Sequence, residues 1–181
     1  MQYSAHNGSG KTLFVCKEAF CAYKQGRKVY SNFKLNFPHE ILRFDDVINT
    51  KLEKCTVIID ECHLWGGFSA RQSMSKRNQA MIHFISQVRK RGNDLFLTTQ
   101  LPRNLDVVSR ENCSVYIFMS KKVFKNGVWI DAVEGCDYPP ELPVMITQEV
   151  LHLGTEKTFT MTFEANKYFG LYDTQEVIKL Q

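Results

Sequence analysis

Two short stretches constrain this chain more than anything else in it: SAHNGSGKT, Ser4 to Thr12, and VIIDECH, Val57 to His63. In the first, glycines let successive backbone N–H groups turn toward phosphate oxygens, and the helix that follows offers its positive end. Lys11 is placed to reach the β- and γ-phosphates of a nucleotide and Thr12 to hold a magnesium ion. Asn7, Gly8, Ser9, Gly10, Lys11 and Thr12 are therefore the expected phosphate-binding set, with ATP and Mg2+ as ligands. Such a loop needs a strand before it and a helix after it. Its acidic partner needs a second strand ending at the same edge of a sheet, which argues for an α/β fold.

The rest of the chain fits that demand. Gln2 to Ala5 reads as the end of a first strand, either a short one or one that the chain enters part-way. A helix is expected from Lys11 to Lys24, closed by Gly26. Lys28 to Ser31 reads as a short strand, and Glu40 to Ile48 as an amphipathic helical turn or two. Thr56 to Asp60 is a compact β-branched run of the kind buried on both faces of a sheet. Ala80, Met81, Phe84, Ile85 and Val88 recur at helical spacing, so Ser75 to Arg91 is expected to be helical up to Gly92. Leu95 to Thr99 and Ser114 to Met119 read as strands. VFKNGVWI carries Asn126-Gly127 between apolar flanks, a strong hairpin signal, and TFTMTF near the end alternates as a strand does. Strands and helices alternate over the first two-thirds, which points to a parallel sheet covered on both faces.

The 181 residues suffice for one domain with a full core and would be cramped as two. No apolar run approaches the ~20 residues of a membrane span, and no signal-peptide pattern precedes Ala5, so a soluble, intracellular protein is expected. A net charge of +4 permits a polyanionic partner without demanding one. Cys16, Cys21, Cys55, Cys62, Cys113 and Cys136 form no C-x-x-C pair. They are expected to be reduced and buried rather than to hold zinc.

Asp60 and Glu61 end the buried strand and supply the second half of a nucleotide site. Asp60 is the expected magnesium ligand, directly or through a water. Glu61 is placed to take a proton from the attacking water or to orient it. Gln100 ends the strand LFLTTQ, so in a parallel sheet it lands beside the γ-phosphate; taken alone, it is equally a solvent-facing residue starting a loop. Lys76, Arg77, Lys121, Lys122 and Lys125 either line a DNA path or form a solvated basic face. Trp65 and Phe68 either touch a partner or fill the core.

Ala5 to Thr12 and Asp60 to His63 resemble superfamily 2 helicases. Those carry a Ser-Ala-Thr segment where this chain has Thr98-Thr99-Gln100, and a second motor domain for which the chain is too short. A second resemblance fits better. The loop and helix ending in GRKVYSNFKL, then VIIDECHLW, QVRKRGNDLFLTTQLPRNLD and YFGLYDTQE, resemble the FtsK–HerA class of DNA-pumping ATPases. Within it the chain is similar to zonular-occludens-toxin-like proteins of filamentous phages and to genome-packaging ATPases of archaeal and membrane-containing viruses. The resemblance spans Ala5 to about Glu176, and its most specific element pairs Arg89-Lys90-Arg91-Gly92 with the strand ending in Gln100. Ala5 stands where the family's first loop glycine is usual.

The resemblance implies a single three-layer P-loop domain of RecA/FtsK–HerA type, with a mostly parallel central sheet, a β-hairpin and an extra C-terminal strand. It implies a homo-oligomeric ring, a hexamer or pentamer, that translocates double-stranded DNA. A viral capsid component is the further partner, in the host cytoplasm or on the virion. The lack of an apolar span favours a soluble packaging motor over a membrane-anchored phage-assembly protein. Arg89 matches the arginine that serves the neighbouring subunit's nucleotide, although cations also gather at helix C-termini for the dipole alone. Arg71 and Arg110 are weaker candidates. The rival readings are a phage morphogenesis ATPase extruding single-stranded DNA, and a nucleotide-gated assembly protein with little turnover.

Overall fold

The computed structural model describes residues 2–4, 8–49, 52–65, 75–132, 138–139 and 141–173. One nine-stranded sheet organises them, in the order β3-β2-β4-β5-β1-β6-β8-β9, with β7 paired to β6. The strands are β1 (Gln2–Ser4), β2 (Lys28–Ser31), β3 (Glu40–Ile41), β4 (Cys55–Ile59), β5 (Asp94–Thr99), β6 (Val115–Lys125), β7 (Val128–Asp131), β8 (Val144–His152) and β9 (Lys157–Glu164). From β3 through to β6 every pairing is parallel, and β7, β8 and β9 are added antiparallel. The helices are α1 (Lys11–Lys24), α2 (Phe44–Asn49), α3 (Lys76–Val88) and α4 (Val107–Glu111), with 3-10 turns at Pro102–Asn104 and Ala165–Tyr168.

Two cores, one on each face of the sheet, make three layers. On one side α1 supplies Leu13, Phe14, Cys16 and Ala19 against Ile58, Phe96, Ile117 and Ile146. On the other, Phe44 and Val47 of α2 and Met81, Phe84 and Ile85 of α3 cover Val57, Ile59, Leu95 and Leu97. Neighbouring residues of β4 and β5 thus serve opposite cores, as the two-residue period of a strand requires. All five residues of β4 are buried, as its β-branched run predicts.

Local chemistry sets the boundaries. Gly26, at φ 80, ends α1: its N–H reaches Tyr23 O, and the Arg27 N–H reaches Ala22 O. The Ser75 side chain caps α3 by accepting from Asn78 N. Asn126 and Gly127, at φ 52 and 82, both have the left-handed backbone that a tight hairpin demands.

The expected helix over Glu40 to Ile48 splits into two elements. Glu40 and Ile41 pair with Tyr30 and Ser31 as β3, and Leu42 N–H bonds Ser31 O at 2.7 Å. α2 starts only at Phe44, where the Asp46 carboxylate accepts from Arg43 N. The strand expected at Ser114 to Met119 and the first arm of the hairpin are one strand, β6. The single extra C-terminal strand is in fact a pair, because β8 precedes β9. Cys16, Cys55, Cys62 and Cys113 are buried free thiols, whereas Cys21 is exposed on α1; Cys136 lies outside the described residues. Burial raises the thiol pKa of Cys55 to about 11. Among the described residues no helix is long and apolar enough to cross a membrane.

The amino-terminal edge of the parallel sheet is stapled by two side chains. Asn93 accepts from Cys55 N and donates to Leu52 O. The Arg27 guanidinium donates to Cys55 O and Gly92 O, each at 3.0 Å, and lies 3.1 Å from the Asp94 carboxylate. Arg27→Met keeps the aliphatic stem and removes the donors, so it is expected to lose ~1–3 kcal/mol of stability. Urea melts showing a lower midpoint at unchanged m-value would record this, and a midpoint equal to the parent's would refute the staple.

Candidate functional site

The carboxyl ends of β1, β4 and β5 converge, with β5 lying between the other two. After β1, Gly8 and Gly10 take φ 74 and 95, a backbone that side-chain-bearing residues resist. Gly10 also lies against β8, where an added Cβ would collide with Ile146 Cδ1. Lys11 is buried at the first turn of α1, and the buried Ser9 hydroxyl has no hydrogen-bond partner among the described residues. An unsatisfied hydroxyl inside a glycine-rich turn is the chemistry a phosphate oxygen would complete. Ala5 and Asn7 lie outside the described residues.

Asp60 is held from every side. Thr12 Oγ1 donates to its Oδ2 at 2.9 Å, and Thr98 Oγ1 donates to its Oδ1. The Asn32 side chain clamps its peptide, accepting from Asp60 N at 2.8 Å and donating to Asp60 O at 2.9 Å. Burial pushes the Asp60 carboxyl above the usual carboxylate range, and the two threonine hydroxyls oppose this. The Thr12 hydroxyl beside the Asp60 carboxylate is a hard-oxygen pair suited to Mg2+, which would supply charge neutralisation for the phosphates.

Glu61 follows in a left-handed turn at φ 45, its N–H donating to Thr98 Oγ1 at 2.9 Å. That turn aims its carboxylate at Gln100, whose Nε2 donates to Glu61 Oε1 at 3.3 Å. Loop, Asp60, Glu61 and Gln100 are thus one constellation. His63 Nδ1 lies 3.4 Å from Glu61 Oε2. Asn32, Thr98 and His63 are the functional neighbours that sequence reasoning missed. The signals that could have found them are that Asn32 and Thr98 stand at the ends of strands flanking β4 and that His63 closes the Asp-Glu-Cys-His run.

A cavity of about 400 Å³ runs from Gly8, Lys11, Thr12 and Glu61 toward Val144, Ile146, Ala165, Phe169 and Tyr172. The lining joins the polar loop and Glu61 to apolar and aromatic side chains, the mix that a nucleotide's phosphates and base require. The Tyr172 hydroxyl is held protonated by burial. Lys121, one of the lysines read from sequence as lining a DNA path or forming a solvated basic face, instead lines this cavity with its ammonium 5.7 Å from the Tyr138 ring.

Other candidates fall elsewhere. Trp65 is fully buried against Phe44, so it belongs to the core. Arg77 places its guanidinium 4.9 Å from the Phe44 ring. Lys122 pairs with Asp131 at 3.8 Å, and Lys125 is exposed beside the hairpin turn. Arg110 is half-buried. Arg71 and Phe68 lie outside the described residues. Arg89 caps the C-terminus of α3 and is exposed beside the amino-terminal end of β5. Gln100 lies past the other end of that six-residue strand, ~20 Å away at ~3.3 Å per residue. Arg89 therefore does not reach the nucleotide site of its own subunit.

Residues 43–128 match the family model described as Zonular occludens toxin (Zot). The fold is similar to that of the N-terminal domain of zonular occludens toxin from Neisseria meningitidis, with TM-score 0.57 and 22% identity over 95% of this chain and 97% of that one. It is also similar to the genome packaging NTPase B204 from Sulfolobus turreted icosahedral virus 2 in complex with ATP-gammaS, with TM-score 0.57 and 11% identity over 88% and 94%. B204, the DNA-packaging ATPase from Sulfolobus Turreted Icosahedral Virus, gives TM-score 0.55 and 12% identity over 88% and 94%. No curated protein matches the sequence. The resemblance read from the motifs holds, and the fold is that of a P-loop NTPase.

Because burial raises the Asp60 pKa above its ordinary 3.8, the folded state binds that proton more tightly than the unfolded chain does. The associated stability is fully present below the unfolded value and is lost as pH rises through the folded one. Asp60→Asn is accordingly expected to raise the Tm of the nucleotide- and metal-free protein at neutral pH. Each 1 kcal/mol gained is worth ~2–4 °C at this chain length. The advantage should vanish in acid, and a lower Tm at pH 7 would show that the charge is not a burden on the fold.

Proposed function

We propose that this chain is an ATPase that assembles as a homo-oligomeric ring and uses hydrolysis to move DNA. The observation that carries the reading is the Gln100–Glu61 contact beside the phosphate loop. A protein that merely binds nucleotide has no need of a carboxylate held next to an amide at the place where the γ-phosphate and its attacking water would lie. Lys11 and the loop N–H groups bind the phosphates, and Thr12 and Asp60 hold Mg2+. Glu61 orients the water and takes its proton. Before nucleotide binds, Gln100 spends its amide on Glu61. A γ-phosphate oxygen would compete with the Glu61 carboxylate for that amide, so Gln100 would report occupancy by changing partner. The apolar end of the cavity, Phe169 and Tyr172 above all, receives the base.

The preferred cargo is double-stranded DNA entering a viral capsid, supported by the likeness to packaging ATPases. The match to the zonular occludens toxin family supports the second reading, extrusion of single-stranded DNA during phage assembly. In both, Arg89 serves the neighbouring subunit, a role its remoteness from its own nucleotide site requires if it acts on phosphate at all.

Glu61→Gln is expected to retain ATP binding and lose turnover, because it keeps shape while removing the base. Hydrolysis at the parent rate would end the assignment. In the parent protein, stimulation by duplex rather than single-stranded DNA selects the packaging reading. The reverse selects extrusion, and stimulation by neither removes DNA as the cargo. Binding should also weaken steeply with salt if backbone phosphates are tracked.

Arg89→Ala is expected to bind ATP and hydrolyse it about 10³-fold more slowly, the scale of an arginine supplied in trans. Mixing it with Glu61→Gln should restore activity at interfaces that pair an intact Glu61 with a neighbour's intact Arg89. A mixture that stays inactive while the two proteins co-assemble, together with proportional loss when mutant subunits are titrated into parental rings, would remove Arg89 from the reaction.

A further inference from the structure

We infer that His63 is a positioning residue for Glu61, fixing the second oxygen of the carboxylate that Gln100 holds by the first; this rests on the reading of Glu61 as the residue that primes water. Glu61 Oε2 is buried and without a hydrogen-bond partner among the described residues, and the His63 ring nitrogen Nδ1 stands 3.4 Å from it. A buried carboxylate oxygen left unsatisfied is costly, so a nitrogen at this distance matters.

The neighbouring hydroxyl settles which way the interaction runs. Thr99 Oγ1 donates its single hydrogen to Leu101 O at 3.2 Å, and it lies 3.3 Å from His63 Nδ1. With that hydrogen committed, Thr99 can only accept at Nδ1, so Nδ1 carries a hydrogen. Nδ1 makes its hydrogen-bond contact with Thr99 Oγ1, and Glu61 Oε2 lies 3.4 Å from the same nitrogen without yet bonding it. His63 is therefore placed to donate to the carboxylate after a small turn of the ring, while Thr99 anchors it to the end of β5. The 3.4 Å separation is long, as such contacts often are before substrate binds.

The arrangement gives Glu61 two supports of different kinds. Gln100 leaves its oxygen when a γ-phosphate competes for the amide. His63 sits on the turn after β4, tied to Thr99, and has no competing partner in the substrate. When Gln100 changes partner, His63 keeps the carboxylate from swinging, and Oε1 is released toward the water.

Steady-state ATP hydrolysis by His63→Ala, His63→Asn, His63→Gln, Glu61→Gln and the double variant H63A/E61Q tests this. His63→Ala should lower kcat roughly ten- to a hundredfold, the scale of one hydrogen bond to a charged group, with KM within about twofold of the parent. In His63→Asn the new side-chain amide nitrogen would occupy the place of Nδ1, so H63N should recover most of the loss. H63Q, whose amide lies one bond farther out, should not. The double variant should be no slower than Glu61→Gln alone, because the two residues act through one carboxylate. The inference is overturned by parental kcat in H63A, by a loss carried in KM, by equal activity of H63N and H63Q, or by a double variant slower than Glu61→Gln. If H63A does not fold, the comparison of H63N with H63Q still decides. A parent protein that hydrolyses no ATP overturns the Glu61 assignment and this inference with it, whereas an active parent with an inactive Glu61→Gln and a fully active H63A overturns His63 alone.

Discussion

The sheet withdraws the Asp60 carboxylate from water, and the arrangement of strands around it answers the cost of doing so. An ionised carboxylate in an apolar interior is tolerated only when hydrogen bonds replace its hydration. Here two hydroxyls supply them, Thr12 from the first turn of α1 and Thr98 from the end of β5, while Asn32 from the end of β2 clamps the Asp60 peptide that carries the side chain. None of these elements could move along the sheet without removing a donor. The strand order, with β5 inserted between β4 and β1, is the order that brings Thr98 to Asp60 and Gln100 to Glu61 together. The electrostatics of one side chain and the topology of the whole parallel sheet are in this sense one constraint.

Much of this was legible along the chain because it is written in short-range pattern. The phosphate loop, the β-branched run into Asp60, the periodic apolar positions of α3 and the Asn126-Gly127 turn all describe themselves within a dozen residues. The losses have equally local causes. β8 escapes notice because its alternation of Val144, Ile146 and Val150 is broken by Gln148, a polar residue that is nonetheless buried. The run from Glu40 has helical spacing, yet β2 offers a free edge beside it and the ladder wins the first two residues. Asn32, Thr98 and His63 could not be assigned at all from sequence. Asn32 and Thr98 are ordinary polar residues until the fold brings the acidic pair within reach, and proximity across 28 and 38 positions leaves no mark in spacing; His63 stands two residues from Glu61, but nothing in the sequence says that its ring turns back to the carboxylate.

Reading basic residues proved less secure than reading acidic ones. A carboxylate in a buried strand is expensive and so demands a reason, whereas a lysine or arginine has many inexpensive uses. Arg77 lies on an aromatic ring, Arg27 staples strand ends, Lys122 pairs with Asp131, and Lys121 turns toward the nucleotide cavity. Four cations that composition would pool into one surface serve four purposes.

Ile146 touches the phosphate loop where only the hydrogen of Gly10 leaves room. Farther along α1, the Lys17 ammonium stands 5.4, 5.2 and 5.9 Å from the ring centres of Phe14, Phe163 and Tyr168. The helix that begins at the phosphates is thereby fastened at two points to the antiparallel wing that would cradle the base. The two walls of the cavity are thus tied to each other, and a nucleotide held between them would meet a frame of set width. In the proposed ATPase, the parts free to respond to the terminal phosphate would lie outside that frame. The segments leaving Glu61 and Gln100 bury Cys62, Trp65 and Leu105 in the core on the other face of the sheet, which is the flank where the proposed motor would deliver its motion.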